Sequence, residues 1–170
     1  PADEGMWTFD NPPRAQLQER YGFTPTPEWL EHLRLASVRF MDGGSGSFVS
    51  GQGLLLTNHH VGRGCIQNVS SKENDYIAQG FLAGSRGQEL PCPGYEVNVL
   101  TSYEEVSVRV QAATRSAATD PAAREARKAE MARLEDDCAR ETRLRCDVVT
   151  LYGGGEYWLY RYKKYTDERL

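Results

Sequence analysis

Long hydrophobic runs are missing from this chain, and methionine, histidine and cysteine are scarce, with three, three and four copies in 170 residues. No apolar stretch approaches the ~20 residues that a membrane-spanning helix needs, which excludes such a span. Neither sign of charge dominates. Twenty basic residues against 24 acidic ones leave a net charge of −4. That balance lacks the basic surface used for sequence-independent binding of nucleic acid, so no nucleic-acid partner is expected. No Cys-x-x-Cys pair occurs, which removes support for zinc-ribbon and thioredoxin-like readings. Internal repeats and low-complexity segments are absent too. The chain starts at Pro1 rather than Met and shows no basic segment leading into an apolar one. It therefore reads as mature, processed or cut from something longer.

The 39% hydrophobic content is enough for a packed core. The length suits one domain or part of a larger one. The C-terminal stretch Tyr157 to Leu170 is aromatic and strand-like, where domain ends are usually loose and polar. It is expected to be an unpaired strand edge of a fragment, with poor solubility as the consequence.

The cysteines are Cys65, Cys92, Cys138 and Cys146. Four permit three disulfide connectivities, and four free thiols remain open in a reducing compartment. Cys138 and Cys146 lie close together around the end of an expected helix. Pairing 138 with 146 and 65 with 92 is the preferred arrangement.

Asn11-Pro12-Pro13 reads as a helix start, with Asn11 as cap, for a helix ending near Gly22. Thr26-Pro27-Glu28 repeats the signal for a helix to about Leu35. A β-region then begins at Ser37. Gly43 to Gly46 is a loop, Ser47 to Ser50 a strand, Gly51 to Gly53 a turn, and Leu54 to Thr57 a buried strand. Alternating valines extend a further β-region from Tyr95 to Val110. Asp120-Pro121 opens a long helix to about Leu144. Its apolar stripe is thin (Ala123, Met131, Leu134, Cys138), and its charged faces carry i,i+4 pairs Arg133/Asp137 and Asp136/Arg140. Such a helix projects from a β-body and packs along one edge. Asp147 to Tyr152 and Tyr157 to Tyr165 are strands around a Gly153-Gly154-Gly155 turn. The fold class is mainly β with helical insertions. The organisation is 1–36 N-terminal helical segment, 37–110 β-strands with a histidine-bearing hairpin, 111–146 charged helical insertion, and 147–170 further strands.

His32 falls on an expected surface helix and is read as inert. His59 and His60 follow the triple-leucine strand. Imidazole exchanges protons near neutral pH, so a histidine held at a strand end suits general-base work. A structural role for the pair competes with that reading. On an extended segment neighbouring side chains point to opposite faces, so at most one joins a site and the two do not share a metal ion. No metal or other cofactor is expected. Gly44-Ser45-Gly46 looks like a nucleophile motif, but it lacks an acidic neighbour and precedes the histidine. Ser45 is therefore read as a strand residue.

Gly43 through His60 resembles the histidine-bearing hairpin of chymotrypsin-like serine peptidases, where an apolar strand ends in Thr-Ala-Ala-His. On that match His60 is the general base and Thr57 holds the threonine position. More of the chain, in order, resembles the bacterial dipeptidyl-peptidase 7 and 11 family. The blocks are Asp3-Glu4-Gly5-Met6-Trp7, Gly53 to His60, Asp75 to Phe81, Glu89-Leu90-Pro91-Cys92-Pro93-Gly94, and Leu151 to Leu170.

The resemblance implies a serine exopeptidase that releases dipeptides from the free N-terminus of peptides. It implies a chymotrypsin-like double β-barrel with a helical cap over the cleft. The present residues would form most of the first barrel, with most of the cap missing. It further implies an exported enzyme of the periplasm or cell surface, a homodimer, with peptides as partners. Of the catalytic groups only His60 carries over. The family's aspartate and serine would lie beyond Leu170, so the 170 residues alone are expected to be inactive. Asp147 and Asp167 are not taken as substitutes. An endopeptidase of chymotrypsin type and a non-catalytic peptide-binding relative are the competing readings.

Overall fold

The computed structural model describes residues 4–41 and 43–170. Helices α1 (Arg14–Tyr21) and α2 (Pro27–Ala36) lead into strands β1 (Ser37–Phe40), β2 (Ser45–Phe48) and β3 (Leu55–Thr57). Helices α3 (His59–Val69) and α4 (Tyr76–Gln79) follow, then β4 (Val97–Glu105), α5 (Ser107–Thr114) and α6 (Asp120–Thr142). Strands β5 (Arg145–Leu151) and β6 (Glu156–Tyr165) complete the order. The strands form one antiparallel sheet in the order β3-β2-β1-β4-β6-β5, with helices inserted between them.

Local chemistry explains the helix ends. The Thr26 hydroxyl accepts the Trp29 N–H at 3.2 Å, and the Thr119 hydroxyl accepts the Ala122 N–H at 3.3 Å. Both satisfy donors that a first turn leaves unpaired. Gly22 closes α1 in the left-handed conformation. Asn11 is not a cap: α1 begins three residues later, behind Pro13, with no side-chain cap. Proline supplies the starting φ there without a donor.

Two clusters make the core. Val38, Phe40, Val97 and Val99 lie on one face of β1 and β4, and Phe48, Leu55, Val61 and Tyr95 pack against them. The other joins Val106 and Val110 to Leu134 and Cys138 of α6 and to Val148, Tyr157 and Leu159 of β5 and β6. Burying Leu134, 2% exposed, stabilises by roughly 2 kcal/mol. Of the thin stripe expected on α6, Met131, Leu134 and Cys138 pack there. Arg133 meets Asp137 at 3.1 Å as expected, but Arg140 takes Asp137 at 2.6 Å rather than Asp136.

Four further sequence expectations are corrected. The β-region ends at Glu105, and Ser107–Thr114 is helical. Val106 and Val110 are buried while Val108 is 73% exposed. A strand would put all three on one face; the helix groups 106 with 110 and turns 108 away. Tertiary bonds decide it: Val106 N–H donates to the Tyr157 carbonyl at 2.8 Å, and the Ser107 hydroxyl accepts the Tyr157 N–H at 3.0 Å. Second, Leu54 to Thr57 is not a buried strand. β3 lies at the sheet edge, and Leu54 and Leu56 are each 65% exposed. Third, β6 is interior, paired on both sides by β4 and β5, so the aromatic strand is not an unpaired edge. Beyond it, Leu170 exchanges two backbone bonds with Leu90. Fourth, the adjacent histidines stand on a helix, not on an extended segment.

Both expected disulfides are present, Cys65 to Cys92 and Cys138 to Cys146. No helix among the described residues is long and apolar enough to cross a membrane.

Candidate active site around His60

A tight three-strand unit delivers the histidines. Gly46 faces Thr57 across β2 and β3, and the Thr57 hydroxyl donates to the Ser45 carbonyl at 2.8 Å. Gly44, at φ +103°, lies against the first turn of α3, where a Cβ would stand 2.6 Å from Val61 Cγ2. Strand β3 stops at Thr57, Asn58 is extended, and the helix starts at His59. His59 and His60 are its first two residues and both are exposed. Successive helical residues diverge by about 100°, so the two rings point in different directions without being opposed.

Helix α3 is anchored to the sheet from beneath. Cys65 is 1% exposed and bonded to Cys92. The Tyr95 hydroxyl accepts the Cys65 N–H at 2.9 Å and donates to the Val61 carbonyl at 3.3 Å. The sheet face carrying Val97 and Val99 receives Val61 and Tyr95. The result is a rigid platform with an imidazole exposed at its rim.

Other sequence candidates lie elsewhere. Among the described residues none hydrogen-bonds either imidazole of the pair. Ser45 is a β2 residue opposite Arg39, in line with its reading as a strand residue, although 43–46 was expected as a loop: β2 begins at Ser45 and ends at Phe48, two residues earlier than expected. Asp147 is taken by Arg145 at 3.1 Å and Arg39 at 3.4 Å, and Asp167 by Arg169 at 3.0 Å. His32 sits exposed on α2. No set of three or more His, Cys, Asp or Glu side chains among the described residues could hold a metal ion.

Two features were not legible in the sequence. One is Tyr95 beneath α3, which nothing in a Pro-Gly-Tyr run connects to a helix thirty residues earlier. The other is a hollow of about 270 Å³ lined by Trp7, Phe9, Arg34, Arg39, Asn98 and Tyr160, among others. Asn98 alternates with Val97 and Val99, so the hollow belongs to the sheet face opposite α3. Asn98 is 2% exposed and its Oδ1 has no hydrogen-bond partner among the described residues. Burial, with Asp10 adding its charge, pushes the Tyr160 hydroxyl up to about 12.

The sheet with inserted helices, the two disulfides and the rim histidine describe the site, and comparison with known proteins gives its class. The chain belongs to the Peptidase S46 family, which it matches over residues 2–170. It is 35% identical over 181 residues to dipeptidyl-peptidase 7 of Porphyromonas gingivalis, covering 99% of this chain and 25% of that protein. It is 33% identical to the Asp/Glu-specific dipeptidyl-peptidase of the same organism, again over 99% of this chain and 25% of the relative. The crystal structure of Porphyromonas endodontalis DPP11 with the dipeptide Arg-Asp superposes with a TM-score of 0.80 at 28% identity, over 99% of this chain and 26% of that one. The chain thus spans about a quarter of the length of these relatives.

Proposed function

We propose that these residues supply the general base of a serine-type dipeptidyl-peptidase, and that His60 is that base. The observation that carries the reading is the position of His60. It is an exposed imidazole at the start of a helix locked to the sheet by a disulfide and a tyrosine hydroxyl, in a chain of the S46 family. The Thr57-Asn58-His59-His60 match to Thr-Ala-Ala-His selects His60 over His59. In the reaction a serine outside these residues attacks the scissile carbonyl. His60 takes its proton and returns it to the leaving amine, while an aspartate, also outside, orients the ring. Backbone amides near the serine hold the oxyanion. The substrate is a peptide with a free N-terminus, and a dipeptide leaves.

The organisation 1–36, 37–110, 111–146 and 147–170 belongs to the same proposal, with 107–110 assigned to the helical insertion. So do a homodimeric enzyme and a periplasmic or cell-surface location. Two disulfides support an oxidising compartment. Relatives with and without the Asp/Glu-specific name are similarly near, so the side chain preferred before the scissile bond is left unassigned.

The test uses the full-length protein and a dipeptidyl chromogenic substrate. His60→Ala should lower kcat about 10³-fold or more, with His59→Ala far milder. A His60→Ala protein that turns over at the wild-type rate rejects the assignment. Cleavage of an N-terminally blocked substrate would instead identify an endopeptidase. Absence of all hydrolysis in the wild-type protein would favour the non-catalytic, peptide-binding reading.

A further inference from the structure

The turn Cys92–Tyr95 grips α3 at one residue in two ways. The Cys92 sulfur is bonded to Cys65, and the Tyr95 hydroxyl accepts the Cys65 main-chain N–H at 2.9 Å. The same hydroxyl donates to the Val61 carbonyl at 3.3 Å. Val61 and Cys65 are an i, i+4 pair, the two groups that an α-helix joins directly. The tyrosine hydroxyl is therefore spliced into the hydrogen-bond ladder of the helix. Gly64 makes the splice possible, since a Cβ there would stand 2.6 Å from the hydroxyl oxygen. The turn is built to present the ring. Tyr95 N–H returns to the Cys92 carbonyl at 3.1 Å, Pro93 and Gly94 occupy the central positions, and Gly94 has φ +83°. That is the type II pattern, with proline first and glycine in the left-handed place. The ring also packs against the Val38, Phe40, Val97 and Val99 cluster, so its hydroxyl is referenced to the sheet.

We infer that Tyr95 is a positioning residue for His60, a role that rests on the assignment of His60 as base. First turns of helices lack carbonyl partners for their own N–H groups and fray. Val61, directly after His60, is in that first turn. Its carbonyl is held by a hydroxyl fixed to the sheet, which sets the rotation of the turn and with it the direction of the imidazole. The disulfide pins α3 only at Cys65; in the first turn Val61 N–H reaches the Asn58 carbonyl at 3.0 Å and its side chain packs on the sheet, and the Tyr95 hydroxyl adds the hold on the Val61 carbonyl. A reacting group displaced by an ångström can lose on the order of 10²-fold in rate.

The experiment uses the full-length enzyme, with Tyr95→Phe, Gly64→Ala, the double variant and His60→Ala. Assays run well below the unfolding temperature of each. Tyr95→Phe should lower kcat by about tenfold or more with KM within about twofold, because substrate binding is untouched. Gly64→Ala should lower kcat similarly, since its methyl displaces the hydroxyl. Should Tyr95→Phe fail to fold, Gly64→Ala carries the same reading. In the double variant the two losses should not add, because both remove one interaction. A fall in unfolding temperature with unchanged kcat in both single variants overturns the positioning role and leaves His60 as base. Wild-type turnover by His60→Ala removes the base itself, and the role of Tyr95 with it.

Discussion

Arg34 donates to the carbonyl of Thr101 at 2.5 Å, and Thr101 is the residue at which β4 slips register against β6. The same nitrogen reaches the Leu100 carbonyl at 2.6 Å, and the guanidinium lies 5.7 Å from the Tyr103 ring centre. A bulge leaves main-chain groups outside the ladder, and here α2 supplies the missing donor. Arg34→Met should cost about 3 kcal/mol, because it leaves buried carbonyls unpaired. Arg34→Lys should recover only part, having no planar fork. Hydrogen exchange of the β4 and β6 amides in the full-length protein is the measurement; unchanged protection in Arg34→Met would show that the bulge needs no donor.

The two disulfides should not contribute equally. Cys65–Cys92 closes a loop of 27 residues and Cys138–Cys146 one of 8. Loop-closure entropy then gives about 3.5 and about 2.5 kcal/mol respectively. Cys65→Ala/Cys92→Ala should therefore lower the denaturation midpoint more than Cys138→Ala/Cys146→Ala. The reverse order would mean that packing of α6, not chain entropy, dominates.

Acid should weaken the sheet through Glu96. Burial raises its carboxyl, but the Asn98 amide, the Lys164 ammonium and Arg145 outweigh that and hold it below the ordinary value. A carboxylate lowered on folding adds stability above its unfolded pKa, near 4.3 for glutamate, and loses it as pH falls through the folded value. Glu96→Gln should cost stability at pH 7 and flatten its decline below about pH 5. Thermal unfolding of both proteins from pH 7 to pH 3 tests this, and parallel curves would remove Glu96 from the acid response.

Gly44→Ala should be costly twice over. Its φ of +103° is strained for any side chain, and the new Cβ would stand 2.6 Å from Val61 Cγ2. Together these should cost about 2 kcal/mol or more. Adding Val61→Ala should relieve the clash but not the backbone strain. A double variant no more stable than the sum of its parts would show that the clash is absorbed elsewhere.

Local chemistry written along the chain determined much of this protein. Thr26 and Asp120-Pro121 mark helices because a cap and a first-turn proline act within a few residues. Gly22 ends one for the same reason. The Cys138–Cys146 pairing and the thin stripe of α6 were legible, since both depend on neighbours in sequence, and Cys65–Cys92 was the pair that remained. The block ending in His59-His60 and the others spread along the chain carried the family. Tertiary structure decided what rested on distant partners. Val106, Val108 and Val110 alternate as a strand would, and bonds to Tyr157 on β6 selected a helix that buries only Val106 and Val110. Leucine at 54 to 56 signals burial, yet β3 is a sheet edge because strand order is set by pairing across the whole chain. The final aromatic strand looked like an edge and became interior once β4 and β5 took both its sides. The histidine pair lies on a helix because Tyr95 and Cys92, some thirty residues later, hold that segment against the sheet, a contact that no local pattern around His60 encodes.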